Sequence, residues 1–126
     1  MKTHEQTDKK IESRVTRGSG NVFADLGFSV REASELQVKA ELTRQILHRL
    51  KDLGLTQVMA SQRLGVSQPD VSKLKRGRFA GYSTDRLIAL LNALGVDVDI
   101  VVRLREANPG HKPGVVRVRD MAGATS

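Results

Sequence analysis

Residues 56 to 77 run Thr56-Gln57-Val58-Met59-Ala60-Ser61-Gln62-Arg63-Leu64-Gly65-Val66-Ser67-Gln68-Pro69-Asp70-Val71-Ser72-Lys73-Leu74-Lys75-Arg76-Gly77. Thr56 and Ser67 each have the short side-chain oxygen that caps a helix start, and Gly65 between them tolerates the positive φ of a sharp turn. Pro69 fits the first turn of the second helix, where its missing N–H would have no intrahelical partner, and Asp70 suits the positive end of that helix. The spacing predicts two short helices, with Val58, Ala60 and Leu64 of the first locked onto Val66, Val71 and Leu74 of the second. Ser67, Gln68, Ser72 and Lys73 are then left facing outward. This is the layout of a helix-turn-helix, in which a packed partner holds a polar, basic helix face out for a groove.

Toward the N-terminus, Ser29-Val30-Arg31-Glu32 fits a capping box, and Leu36, Ala40, Ile46, Leu47, Leu50 and Leu53 recur at helical steps from Ala33. A helix is predicted from about residue 30 to 52, stopped at Gly54. Val22, Phe23, Leu26 and Phe28 ahead of it are expected to dock on the core. Residues 1–20 are polar and charged, and are expected to form a disordered arm. Toward the C-terminus, Ser83 caps a further helix whose Leu87, Leu90, Leu91 and Leu94 make an apolar stripe ending at Gly95.

From residue 96 the periodicity changes to alternation, with Val96, Val98, Ile100 and Val102 on one face. The expectation is a strand over 96–103 that needs a partner, either a second copy of the chain, making these four residues a dimerisation surface, or a short strand at 115–119. The expected fold class is all-α, a compact bundle of four to five helices containing the helix-turn-helix, plus this short C-terminal β-strand. The expected domains are an arm at 1–20, a DNA-binding unit at 21–103 and a basic tail at 104–126.

Composition narrows the partner. The 126 residues contain 39% hydrophobic residues, enough for one modest core, and the formal net charge of +7 favours a polyanion. Residues 56–82 hold five cations (Arg63, Lys73, Lys75, Arg76, Arg78) against the single acid Asp70, so the charge is focused on the helix pair. With no cysteine, and with His4, His48 and His111 scattered, neither a disulfide framework nor a metal site is expected. No nucleophile–base pair or phosphate-cradling glycine loop appears, so no catalytic residue and no cofactor are expected. No apolar run approaches a membrane span and the first residues lack a signal-peptide core, so the expected location is cytoplasmic with no membrane partner.

In the major groove, base edges present donor and acceptor patterns that amides and cations can distinguish. Gln68, suited to adenine, and Lys73, suited to guanine, are the expected base readers. Ser67 and Ser72 are short and suit phosphate or sugar. Gln57, at the start of the first helix of the pair, is expected to hold a phosphate, and Lys75, Arg76 and Arg78 to add further phosphate contacts. An alternative from a different class is a protein-interaction module in which the helix pair is only scaffold.

The string Leu55-Thr56-Gln57, Ala60, Leu64-Gly65-Val66-Ser67-Gln68-Pro69, Val71-Ser72, Leu74 and Gly77 closely resembles the lambda-repressor/Cro class of helix-turn-helix proteins, the XRE family, over roughly residues 35 to 95. The resemblance implies a dimeric, sequence-specific repressor on a palindromic double-stranded DNA operator. It places the phosphate-binding glutamine at Gln57 and base reading at Ser67, Gln68 and Lys73. The flanks, Asn21-Val22-Phe23-Ala24-Asp25-Leu26-Gly27-Phe28 and Leu94-Gly95-Val96-Asp97-Val98-Asp99-Ile100, resemble HigA-like antitoxins encoded beside RelE-like toxins. That narrower likeness implies repression of a toxin–antitoxin operon and a RelE-like toxin as partner. A stand-alone phage-type regulator without a toxin shares the same core.

Overall fold

The structure, a computed structural model, describes residues 22–105 and 113–120. The expected arm at 1–20 and most of the loop before Pro113 lie outside the described residues. Among the described residues five helices follow one another: α1 (Val22–Asp25), α2 (Val30–Leu53), α3 (Gln57–Leu64), α4 (Gln68–Lys75) and α5 (Thr84–Ala93).

Local chemistry sets each boundary. The capping box forms as the sequence requires, with the Glu32 N–H donating to Ser29 Oγ and the Ser29 N–H donating to Glu32 Oε1, both at 3.2 Å. Phe28, just before the cap, joins Ala33 in one apolar cluster and fixes the angle at which the chain enters α2. Thr56, Ser67 and Ser83 cap α3, α4 and α5 by accepting the N–H of Met59, Asp70 and Arg86.

Helix α2, about 36 Å long, is the spine and serves two clusters. Along most of its length Val38, Leu42, Ile46 and Leu50 pack against Ala60 and Leu64 of α3, Val71 and Leu74 of α4, and Leu87, Leu90 and Leu91 of α5. At its N-terminal end Ala33 and Ala40 join Phe23 and Phe79 in a separate cluster. Phe23 is fully buried there, its ring edge-on to Phe28 at 6.4 Å and to Phe79 at 6.5 Å. The segment ahead of α2 thus docks as expected, and it does so partly on the residue that follows the basic loop after α4. Val38 and Leu42 were absent from the predicted apolar stripe, because a helix that packs on two sides buries more than one line of residues. The Arg49 guanidinium closes the far end, donating from Nε to the Leu94 carbonyl at 3.0 Å.

Two expectations are corrected. Val58 does not lock α3 onto α4, being 47% exposed. It stands two residues from Ala60, about 200° around the helix, so burying Ala60 and Leu64 turns Val58 outward. The predicted strand over 96–103 is also not formed, and the described residues contain no strand. Val96 and Val98 are half-buried against the main core, whereas Ile100 and Val102 are 77% and 91% exposed. A ladder needs backbone partners, and residues 115–119 do not supply them. That segment turns instead to α2 and the core, with the Val116 N–H donating to Ser34 Oγ at 3.3 Å and Val118 packed against the main cluster.

Candidate nucleic-acid interface

The turn between α3 and α4 is built on Gly65, which takes φ 70° while its N–H, like that of Val66, donates to the Ser61 carbonyl. Ser67 then opens α4 within two residues, too short a connection for the helices to separate. A second tie comes from Gln57, whose Nε2 donates to the Gln68 carbonyl at 3.2 Å. That leaves one amide hydrogen of Gln57 for an outside acceptor, beside the uncapped N–H groups at the start of α3. Gln57 therefore holds the start of α4 in place and can still grip a phosphate.

Val71 and Leu74 are buried, which turns the rest of α4 outward. Ser67, Gln68, Lys73, Lys75 and Arg76 are exposed, while Ser72 is half-buried. The helix ends with the Gly77 N–H donating to the Leu74 carbonyl and the Arg78 N–H donating to the Lys73 carbonyl, at 2.8 and 3.0 Å. This closure requires the positive φ of Gly77, 76°, and it projects Arg78 outward while Phe79 turns into the aromatic cluster. Among the described residues none of Arg63, Lys73, Lys75 and Arg76 makes an ion pair, whereas Arg31 and Arg44 on α2 pair with Glu35 and Glu41. Lys39 and Lys51 of α2 make no ion pair there either, but the densest run of unpaired cations is Lys73, Lys75 and Arg76 along α4 and its end.

Between α4 and the start of α5 runs an open groove of about 720 Å³, lined by Asp70, Lys73, Arg78, Tyr82 and Arg86 among others. Arg86 and Tyr82 were missed from the sequence. A signal existed, since Arg86 occupies the first turn of α5, where a cation opposes the helix dipole and a carboxylate would be stabilising. Tyr82 is half-buried on the groove floor. Burial raises its hydroxyl pKa, the Asp70 carboxylate adds to that, and Arg86 opposes it. Asp70 thus sits near a tyrosine as well as at a helix start.

The four residues expected at a dimer surface are divided, with Val96 and Val98 partly covered by the chain's own core and Ile100 and Val102 in solvent. Among the described residues no cluster of potential metal ligands occurs, and no helix is long and apolar enough to cross a membrane.

A family model described as a helix-turn-helix domain matches residues 22–103. A solved structure assigned to the XRE family of transcriptional regulators is 35% identical with a TM-score of 0.64, and the match spans 71% of this chain and 98% of that one. The chain belongs to the XRE-type helix-turn-helix family. No curated protein matches it. An XRE-type domain binds rather than catalyses, and this one has the two-helix unit, the glycine turn and the outward basic face together within residues 56–78.

Proposed function

We propose that this XRE-type protein is a sequence-specific transcriptional repressor that binds operator DNA as a homodimer, with α4 as the helix that enters the major groove. The observation that carries this reading is the exposure of Gln68 and Lys73 on a helix anchored from below by Val71 and Leu74 and at its start by Gln57. In the proposed division of labour, Gln68 and Lys73 read bases and Ser67 and Ser72 meet phosphate or sugar. Gln57, Lys75, Arg76 and Arg78 hold the backbone. The working unit is the domain at 21–103, with the arm and basic tail as accessories.

Electrophoretic mobility shifts on the chain's own upstream region test it. Gln68→Ala is expected to relax preference at one base position, at a cost of about 1–3 kcal/mol. Lys75→Ala is expected to weaken all sequences alike and to reduce the salt slope by about one. Sequence discrimination unchanged by both Gln68→Ala and Lys73→Ala would refute the assignment.

A narrower reading makes the protein an antitoxin that represses its own operon and neutralises a RelE-like toxin. It is supported by the HigA-like flanks, of which Phe23 and Phe28 dock beside α2 and Val96 and Val98 border the main core. Co-expression with the protein encoded by the adjacent reading frame tests it. Relief of growth arrest and a co-purifying complex are expected, and a neighbour that is neither toxic nor bound would refute it.

A further inference from the structure

Past α5 the chain reads Val96-Asp97-Val98-Asp99-Ile100-Val101-Val102-Arg103-Leu104-Arg105. Every even-numbered residue is apolar. The odd positions carry two acids, then Val101, then two cations. Ile100, Val101, Val102 and Leu104 are 77%, 77%, 91% and 91% exposed, an apolar run left in solvent while Val96 and Val98 rest on the core. The acids precede the central valine by two and four residues, and the cations follow it by the same two and four.

We infer that residues 97–105 are a self-recognition segment that pairs antiparallel with a second copy of this chain, in the register that sets Val101 opposite its own counterpart on the two-fold axis. Residues facing each other in an antiparallel pair lie on the same side of the sheet, so only registers that match even with even keep the apolar side together. Among those, the register centred on Val101 sets Asp99 against the partner's Arg103 and Asp97 against the partner's Arg105, and symmetry repeats each pairing. A slip of two residues, to a centre at Ile100 or Val102, leaves only one acid of each chain opposite a cation. On the apolar side Ile100 meets the partner's Val102, and Val98 meets the partner's Leu104. Because Val98 already packs on the core, pairing brings the partner's exposed Leu104 beside it. Arg105 keeps a contact of its own in the single chain, donating from Nη2 to the Pro113 carbonyl at 3.3 Å, so the inner Asp99–Arg103 pair is the cleaner probe.

The inference deepens the dimer of the proposed function by assigning its register, and its test uses no DNA. Sedimentation equilibrium of the full chain is expected to show a dimer that weakens about tenfold with Asp99→Arg or Arg103→Asp, each of which sets like charges opposite one another twice. The double variant Asp99→Arg/Arg103→Asp is expected to return to within about threefold of the parent. These side chains are exposed, so unchanged helical circular dichroism is expected throughout. The chain has no cysteine, so Val101→Cys is expected to give a disulfide-linked dimer on oxidation. Asp97→Cys is not, because its two copies would stand about 27 Å apart. A monomer at every concentration, a dimer indifferent to both single reversals, a double variant no tighter than the singles, or cross-linking at Asp97 in place of Val101 would overturn the inference. Any of these together with an intact operator shift would leave the DNA-binding reading standing. The expected charge swap with no operator shift would do the reverse.

Discussion

Replacing Phe23 by alanine tests whether the aromatic cluster beside α2 holds the basic loop in place. Phe23 is fully buried and meets the rings of Phe28 and Phe79 edge-on at 6.4 and 6.5 Å. Truncating such a phenylalanine costs about 3–5 kcal/mol where the structure cannot collapse into the void. Here the loss is expected to be local. Helix α1 is four residues long, and the cluster is separate from the one that joins α2 to α3, α4 and α5. The Leu26 and Phe28 N–H groups both donate to the Phe23 carbonyl, which makes them reporters of docking. Their hydrogen-exchange protection is expected to fall about a hundredfold or more, as 3 kcal/mol implies, while the Leu87 N–H in α5 changes little. Phe79 then loses an edge contact next to Arg78, so operator affinity is expected to drop and its salt dependence to flatten. Unchanged protection at Leu26 and Phe28 would refute the argument. So would an equal loss at Leu87, which would make the two clusters one cooperative unit.

Three further outcomes follow from single features. Gly65→Ala meets no atom within 4 Å but must adopt φ near 70°, so urea denaturation should show a loss of about 1–2 kcal/mol, largely recovered by Gly65→Asn. The Ser29 hydroxyl, followed by the Ser29 backbone, hydrogen-bonds the Glu32 carboxylate and holds its pKa below the ordinary 4.5. The folded state therefore gains stability above the unfolded-state value and loses it as pH falls through the lower folded-state value, a slope that Glu32→Gln should reduce in acid titrations followed by circular dichroism. Arg86→Ala should weaken operator binding equally for all sequences and lower the salt slope by about one, and a wild-type slope would remove Arg86 from the interface.

The elements legible in the sequence are those fixed by short-range chemistry. Ser29, Thr56, Ser67 and Ser83 cap helices because each side-chain oxygen reaches an amide within its own turn, and Gly54, Gly65 and Gly95 stop them because positive φ is a property of the residue itself. The outward face of α4 was equally readable, since burying Val71 and Leu74 leaves little choice for Gln68 and Lys73. What was not legible depends on distant parts of the chain. The pairing of Phe23 with Phe79 joins residues 56 positions apart. Helical spacing alone gave no sign that α2 packs on two sides, or that Arg86 closes a groove with Lys73 and Arg78. Alternation at 96–103 predicted a strand, yet a strand exists only with a partner, and no alternation within one chain supplies it.

The central claim, that α4 is held out by its packed partner as a reading helix and is presented twice by a dimer, is tested most directly by selecting bound duplexes from a random DNA pool at moderate salt. The account predicts an inverted repeat whose half-site centres lie about 10 base pairs, or 34 Å, apart, with Gln68→Ala losing selectivity at one symmetric pair of positions. A pool with no enriched sequence, or an enriched site whose preferences Gln68→Ala and Lys73→Ala both leave intact, would contradict it.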